Sequence, residues 1–124
     1  MDNQLPKPEI LMQRISIMVL AVVLAIFTGV LGVQLLQISD PYIKSVLSLT
    51  GDPMLGHAIF QMNCAGCHGL QAQGRVGPSL DGISKRKSRV SLIDQVISGK
   101  TPPMPQFQPS TQEMADLLSY LEKL

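Results

Sequence analysis

The sequence contains a run of 24 residues, from 15 to 38, in which no side chain is charged. Each residue of an α-helix adds about 1.5 Å, so this run forms about 36 Å of helix, and the hydrocarbon core of a bilayer is about 30 Å thick. Leu, Ile, Val and Phe make up most of the run. The sequence therefore predicts one transmembrane helix over residues 15–38, preceded by an N-terminal tail, residues 1–14.

A cleaved signal peptide is the competing interpretation of this run. Its apolar part normally spans about 7 to 15 residues and ends at a cleavage site flanked by small residues. The run here is longer, and residues 33–38 (Val-Gln-Leu-Leu-Gln-Ile) offer no such site, so we expect an uncleaved anchor. Lys7 and Arg14 precede the run whereas Lys44 follows it, which favours a cytoplasmic N-terminus.

The remainder of the chain is too short for a large enzyme with its own cleft. The protein has 124 residues and a net charge of +1, whereas nucleic-acid-binding domains are normally strongly basic, so no nucleic-acid partner is expected. We divide this part into a membrane-proximal linker, residues 39–51, and a domain, residues 52–124. The linker either lies at the membrane interface or packs on the domain. A domain this small usually needs a disulfide, a metal or another covalent support.

The pattern of the domain predicts helices and no sheet. Asp52 followed by Pro53 begins a first helix, residues 91–98 form another, and Ser110 with Glu113 makes a capping box that begins the last helix. No segment alternates polar and apolar residues as a half-buried strand does. We therefore predict an all-α fold, in which the anchor is followed by a small domain of three to four helices.

Both cysteines of the protein lie in the motif Cys64-Ala65-Gly66-Cys67-His68. At a Cys-x-x-Cys-His motif the two thiols add to the vinyl groups of a c-type haem, and the histidine becomes an axial ligand of the iron. The two-residue gap lets one turn of chain present both sulfurs along one porphyrin edge. We predict one covalent haem c on Cys64 and Cys67, with His68 on the iron.

A bare Cys-x-x-Cys also occurs in thioredoxin-type redox pairs, zinc sites and structural disulfides. A zinc site would need two further Cys or His ligands, and His57 is the one remaining candidate in the sequence. A thioredoxin-type pair follows a strand, whereas a predicted helix precedes this motif. These considerations favour haem.

Methionine is the expected second axial ligand of a haem that transfers electrons at a raised potential. Met104 and Met114 are the methionines that follow the motif. Met104 lies in a loop with three prolines, which we expect to keep the backbone extended and stiff. Met114 lies on the apolar stripe of the last helix and is expected in the core. Met104 is therefore the predicted ligand, and His57 is the alternative, which would give a bis-histidine iron.

The helices of the domain resemble those of class I cytochromes c. Gly56 and Phe60 are similar to the glycine and the aromatic residue of that family's first helix, and Leu117 with Tyr120-Leu121 is similar to the Leu-x-x-Tyr-Leu of its last helix. The resemblance implies that these helices cross closely at the glycine with their aromatic rings in contact. Gly56, Phe60 and Tyr120 would then support the haem pocket.

Two loops extend this resemblance. Gly77-Pro78-Ser79-Leu80 is similar to the family loop whose proline carbonyl accepts a hydrogen bond from the ligand histidine, and Pro103-Met104-Pro105 is similar to the methionine-ligand loop. Pro78 and Leu80 would accordingly lie in the haem pocket. The resemblance covers about residues 52–124, and with its anchor the chain is most similar to the small membrane-anchored c-type cytochromes of cyanobacteria.

The resemblance implies an electron carrier rather than an enzyme. Its expected partners are membrane-bound or soluble redox proteins of photosynthetic or respiratory electron transport. The haem domain is expected on the lumenal or periplasmic face of a thylakoid or plasma membrane. The alternative is a haem-containing regulatory or assembly subunit of a membrane redox complex, and a haem enzyme such as a peroxidase would need an open iron site.

A basic cluster precedes the helix over residues 91–98. Its four members are Lys85, Arg86, Lys87 and Arg89. Such a cluster is able to dock an acidic redox protein or to contact anionic lipid head groups. The alternative interpretation is that these residues form a solvated loop before the helix and have no binding role.

Overall fold

The computed structural model describes residues 8–38 and 40–124 of the chain. They belong to two compact units, Met1–Leu36 and Gln37–Leu124. All regular structure in the described residues is helical, which confirms the predicted all-α class. The helices are α1 (Pro8–Ile38), α2 (Pro41–Ser48), α3 (Pro53–Asn63), α4 (Ala65–His68), α5 (Ile83–Arg86), α6 (Arg89–Ser98) and α7 (Thr111–Leu121).

Helix α1 contains the predicted transmembrane run. The described part of α1 begins at Pro8, before the predicted start of the run, and Glu9 lies in its first turn. Residues 1–7 of the predicted tail lie outside the described residues. The stretch Pro8–Leu36 is long and apolar enough to cross a membrane, and its most apolar window is not buried. These properties fit a membrane span or a signal sequence.

The second unit is organised around the crossing of α3 and α7 at Gly56. A Cβ atom at this position would lie 2.0 Å from the carbonyl oxygen of Asp116 and 2.9 Å from the Cβ atom of Tyr120. Glycine therefore allows the two backbones to approach this closely. The rings of Phe60 and Tyr120 meet with their centroids 5.3 Å apart and a 50° angle between their planes, a tilted geometry that aromatic pairs favour. This is the crossing that the family resemblance implied.

The core of the second unit lies where α7 meets α2, α3 and α6. Met114 is fully buried there, as its place on the apolar stripe predicted. Asp116 is a buried carboxylate on the same helix. Its Oδ1 accepts hydrogen bonds from the backbone N–H of Asp52 at 2.8 Å and from Nε2 of Gln112 at 3.0 Å. The bond from Asp52, the residue that caps α3, attaches the N-terminus of α3 to α7, and the bond from Gln112 lies within α7.

The predicted linker contains helix α2, whose apolar side packs into the core. Asp40 caps the helix by accepting a hydrogen bond from the backbone N–H of Tyr42 at 2.8 Å. Ile43 and Val46 are fully buried. The hydroxyl of Tyr42 donates to the carbonyl of Pro109 at 2.9 Å, and burial is the main cause that raises the pKa of this tyrosine. Residues 40–48 are therefore packed on the domain.

Side-chain caps set the starts of the last two long helices. Ser88 accepts a hydrogen bond from the backbone N–H of Ser91, so α6 begins at Arg89, two residues before the predicted start. Ser110 and Glu113 form the predicted capping box of α7. Hydrogen bonds from Ser110 to the Glu113 carboxylate lower the pKa of Glu113, because they stabilise its charged form.

Candidate haem site

The two cysteines lie on one helical turn between α3 and α4. The backbone N–H of Cys64 donates to the carbonyl of Phe60 at 2.8 Å, which ends α3. The carbonyl of Cys64 then accepts from the N–H groups of Cys67 at 3.1 Å and His68 at 2.9 Å, which begins α4. The two cysteines are not joined in a disulfide. One turn therefore carries two free thiols and the adjacent imidazole.

The two thiols differ in their surroundings. Cys64 is half-buried and Cys67 is exposed. Burial, and to a smaller extent the charge of the neighbouring Cys67, raise the pKa of Cys64 to about 11. Cys64 is consequently protonated at neutral pH. The addition of a thiol to a vinyl group attaches the sulfur to one carbon and the hydrogen to the other, and the protonated thiol of Cys64 carries both of these atoms.

The imidazole of His68 is oriented by the loop that follows the motif. Its Nδ1 lies 2.8 Å from the carbonyl oxygen of Pro78. A carbonyl oxygen only accepts hydrogen bonds, so Nδ1 carries the proton and Nε2 keeps its lone pair. A Cβ atom at position 77 would lie 2.8 Å from the ring, so Gly77 leaves the space in which the ring sits. Nε2 is therefore the nitrogen that is able to bind a metal.

The loop that carries Pro78 is attached to the motif by backbone hydrogen bonds. The N–H of Gly77 donates to the carbonyl of Cys67 at 2.9 Å, and the N–H of Leu80 donates to the carbonyl of Ala72 at 2.9 Å. Leu80 is partly buried against the core. Backbone hydrogen bonds on both sides of Pro78 therefore fix the position of the carbonyl that accepts from His68.

Met104 is attached to α6. Its side chain packs partly buried against the core, and its backbone N–H donates to the carbonyl of Thr101 at 3.0 Å. The expectation of an extended loop is therefore wrong for these residues, because this hydrogen bond closes a turn. Nε2 of Gln95 lies 3.6 Å from the sulfur of Met104, and Oε1 of Gln95 accepts from the Thr101 hydroxyl at 3.3 Å.

The role of Gln95 is missed by sequence reasoning. Nine positions separate it from Met104, and no local pattern pairs a helical glutamine with a methionine in the following loop. The contact exists because the turn at Thr101 brings the loop back towards α6. The amide of Gln95 thereby becomes a hydrogen-bond donor to the thioether.

His57, the alternative ligand, makes other contacts. Its ring lies against Tyr120 with the centroids 4.9 Å apart, and its Nε2 lies 3.0 Å from Nε2 of Gln61. The same amide nitrogen of Gln61 donates to the carbonyl of Leu70 at 2.7 Å. The contact with Tyr120 belongs to the face where α3 meets α7.

The structure divides the basic cluster into two pairs. Nη2 of Arg86 donates to the carbonyls of Asp81 at 2.8 Å and Ser79 at 3.3 Å. Arg89 forms an ion pair with Glu122 at 3.0 Å. Lys85 and Lys87 are exposed and form no ion pair with a described residue. All four side chains are exposed, and the two lysines are the members of the cluster that no side-chain hydrogen bond or ion pair to a described residue holds in place.

The residues at this site fit a covalently bound haem. Cys64 and Cys67 provide two thiols on one turn, and His68 provides a nitrogen lone pair whose tautomer is set by Pro78. The predicted second ligand, Met104, carries a thioether, a ligand type that haem iron accepts opposite histidine, and this sulfur lies against Gln95 of α6. Within residues 8–38 and 40–124 no group of three or more Cys, His, Asp or Glu side chains is placed to hold a metal ion.

Comparison with known proteins identifies the family. Residues 51–121 match the model of the family described as cytochrome c oxidase, cbb3-type, subunit III. This range covers more than half of the chain and contains the whole site described above. It begins after α2.

Two relatives agree with this match. The chain is 54% identical over 110 residues to a protein of Synechocystis sp. named cytochrome c-553-like, an alignment that covers 89% of this chain and 96% of the relative. It is 36% identical over 44 residues to cytochrome c-554(547) of Halothiobacillus neapolitanus, covering 35% of this chain and 48% of that protein. The cyanobacterial relative supports the narrower resemblance to anchored cytochromes of the cM type. The chain thus belongs to the cytochrome c family, and it is an electron carrier with covalently bound haem c.

Proposed function

We propose that the protein is a membrane-anchored mono-haem cytochrome, with haem c attached to Cys64 and Cys67 and its iron ligated by His68 and Met104. The observation that carries the proposal is the 2.8 Å contact between His68 Nδ1 and the Pro78 carbonyl, because it leaves Nε2 as a metal ligand next to two free thiols. When bound, the haem supplies an iron that takes up and releases one electron.

The chain's own side chains would tune this electron transfer in opposite directions. The Pro78 carbonyl accepts a hydrogen bond from Nδ1–H of His68 and so increases the basicity of the imidazole, which favours ferric iron. The Gln95 amide donates to the sulfur of Met104 and withdraws electron density from it, which favours ferrous iron. The balance of these two hydrogen bonds would set the reduction potential.

We also propose that α1 remains attached and spans the membrane. Its length and apolar composition support this, and so does the absence of a small-residue cleavage site in residues 33–38. An anchor keeps the haem domain near other membrane redox proteins and so raises its effective concentration there. The cyanobacterial relative supports photosynthetic or respiratory electron transport at a thylakoid or plasma membrane, with the haem domain on the lumenal or periplasmic side.

An absorption spectrum combined with a redox titration tests the ligands. We expect the ferric protein to show the long-wavelength band of an iron–methionine bond. Replacing Met104 with alanine should abolish this band and lower the midpoint potential by on the order of 0.1 V, since axial ligands set haem potentials over a range of about 0.8 V. Gln95→Leu should keep the band and lower the potential by a smaller amount.

Met114→Leu is the matched control, because Met114 is buried in the core and exchanging it for leucine nearly conserves volume. Its spectrum and potential should equal those of the wild type. A bis-histidine spectrum in the wild type would contradict the assignment of Met104. A five-coordinate spectrum would instead favour the regulatory or catalytic alternatives.

Lys85 and Lys87 are the residues that we propose for docking an acidic redox partner. Replacing both with glutamine should slow electron transfer to such a partner about three- to tenfold at low ionic strength, because opposite charges steer association. The effect should vanish near 1 M salt, where the Debye length is about 3 Å. Stopped-flow oxidation of the reduced protein measures it.

The double variant Arg75→Gln/Lys123→Gln is the control for this charge change. Both residues are exposed and lie outside the cluster, so the same two charges are lost elsewhere. It should slow the reaction less than the lysine pair does. Equal rates for the two double variants would show that net charge alone matters.

A further inference from the structure

We infer that Gln61 is a positioning residue for the haem ligand His68, and that His57 makes this positioning depend on pH, so that the haem is reduced more readily as the pH falls. The inference rests on the proposed function, because it requires His68 to ligate the iron. One atom of Gln61 contacts both His57 and the loop that follows the haem motif. Its Nε2 lies 3.0 Å from Nε2 of His57 and 2.7 Å from the carbonyl oxygen of Leu70.

The contact with Leu70 fixes the hydrogen-bonding role of His57. A carbonyl oxygen only accepts hydrogen bonds, so the Gln61 atom that faces Leu70 is the amide nitrogen. An amide nitrogen only donates, so Nε2 of His57 accepts from it. The two hydrogens of the Gln61 amide are then used, one for each acceptor. This arrangement requires a neutral His57 whose proton is on Nδ1.

Protonation of His57 is incompatible with this arrangement. The imidazolium carries a hydrogen on both nitrogens, so Nε2–H would point at the NH₂ group of Gln61. The ring lies against Tyr120, which restricts its turning away. If the amide turns over, its oxygen accepts from His57 but faces the carbonyl oxygen of Leu70. Because a hydrogen bond from a charged donor is the stronger one, protonation releases Leu70.

The other ionisable groups around His57 keep their charge over the pH range in question. Histidine is the side chain whose charge ordinarily changes between pH 5 and 8. Tyr120 and Lys123 line the recess beside the His57 ring, and Asp52 caps the start of the same helix. Over this range the phenol is neutral, the lysine positive and the aspartate negative. Among these groups, His57 is therefore the one that responds to a change from pH 8 to pH 5.

Leu70 belongs to the loop that supports the acceptor for His68. Ala72 of this loop is fully buried, and its carbonyl accepts from the N–H of Leu80 at 2.9 Å. Leu80 follows Pro78 by two residues, and the Pro78 carbonyl oxygen lies 2.8 Å from Nδ1 of His68. Loss of the hydrogen bond at Leu70 therefore loosens the support of the Pro78 carbonyl.

A looser Pro78 carbonyl favours ferrous iron. A weaker hydrogen bond from Nδ1–H makes the imidazole of His68 less basic, and a less basic ligand stabilises ferric iron less. The positive charge on His57 acts in the same direction, because ferric iron carries one more positive charge than ferrous iron. Coupling between two sites is reciprocal. Transfer of one electron from a redox partner to the iron is therefore accompanied by partial uptake of a proton from water at His57.

Redox titrations of the full-length holoprotein at pH 8 and pH 5 test this coupling. His57→Phe keeps a ring against Tyr120 but does not titrate. We expect acidification to raise the equilibrium constant for haem reduction about threefold more in the wild type than in this variant, which corresponds to about 28 mV at 59 mV per tenfold change. Groups that titrate elsewhere do so in both proteins, so the comparison removes their contribution.

Gln61→Met separates the hydrogen bonds from the charge of His57. Methionine is a similarly long, unbranched side chain that donates to neither acceptor, so this variant should be about twofold easier to reduce than the wild type at pH 8. It should also change less than the wild type on acidification. Gln71→Met is the matched control and should behave as the wild type. Gln71 is exposed in the same loop, and its side chain forms no hydrogen bond with a described residue.

Hydrogen exchange of the Leu80 amide measures the loop directly in the reduced holoprotein. Its protection, corrected for the intrinsic pH dependence of exchange, should fall at least threefold between pH 8 and pH 5 in the wild type. It should stay constant in His57→Phe. A Leu80 amide equally protected at both pH values in the wild type would contradict the release of the loop.

The redox titrations have three further outcomes that decide between interpretations. Equal pH dependence in the wild type and His57→Phe would overturn the inference. A dependence that disappears in His57→Phe but persists fully in Gln61→Met would overturn the role of Gln61, because the charge of His57 would then act alone. A wild-type absorption spectrum without a histidine-ligated, thioether-bound haem would instead refute the proposed function.

Discussion

Replacing Gly56 with alanine is expected to destabilise the haem domain by about 3 kcal/mol, the upper part of the usual range for overpacking. The new Cβ atom would lie 2.0 Å from the carbonyl oxygen and 2.6 Å from the carbonyl carbon of Asp116. These are backbone atoms, so no side chain is able to move aside and α3 must separate from α7. The gain in helix propensity, about 1 kcal/mol, is smaller than this cost.

Denaturant unfolding of the holoprotein, followed by circular dichroism, measures the change. Gly66→Ala is the matched control, because a Cβ atom at Gly66 would meet no atom within 4 Å. This variant should unfold within about 0.5 kcal/mol of the wild type, as surface substitutions usually do. Similar midpoints for the two alanine variants would mean that the crossing of α3 and α7 tolerates a methyl group.

The double variant Cys64→Ala/Cys67→Ala is expected to lose covalent haem and with it cooperative folding of the second unit. The protein has five aromatic residues, three Phe and two Tyr, and no Trp. A chain of this size buries a smaller fraction of its surface than a large domain does. A flat, apolar porphyrin would supply the missing part of the core, so its loss should remove most of the stability, which is typically about 5–15 kcal/mol.

Thermal unfolding followed by circular dichroism tests this expectation, with haem content measured by absorption. The single variant Cys67→Ala provides an internal comparison, because the thiol of Cys64 can still form one thioether bond to the haem. It should retain haem and unfold at an intermediate temperature. A sharp, cooperative transition in the haem-free double variant would show that the helices suffice without the porphyrin.

Features that depend on neighbouring residues were predictable from the sequence. The sequence predicts a helix start at Asp52-Pro53 and another at Ser110 with Glu113. Helices α3 and α7 begin there in the structure, because a cap satisfies backbone N–H groups within one turn. The Cys64 to His68 motif is equally local. Its spacing indicates both the cofactor and the turn that presents the thiols.

Other features depend on contacts between distant parts of the chain and were not predictable. The linker was expected either to lie at the membrane interface or to pack on the domain, and local pattern did not decide between the two. In the structure Ile43 and Val46 of α2 are buried in the core, and α2 contacts α7. Arg86 and Arg89 belong to the predicted basic cluster, yet one donates to loop carbonyls and the other pairs with Glu122. Composition alone does not distinguish these two arginines, which make contacts within the domain, from Lys85 and Lys87.

The amino-acid sequence by itself determined the apolar helix, the haem motif and the helical class, since each follows from residue type and short-range spacing. The tertiary structure decided which atom of His68 is available, that Gln95 donates to Met104, and that α2 packs on the domain. The physical reason is that hydrogen bonds and packing join residues far apart in the chain, and their partners exist only once the helices have assembled.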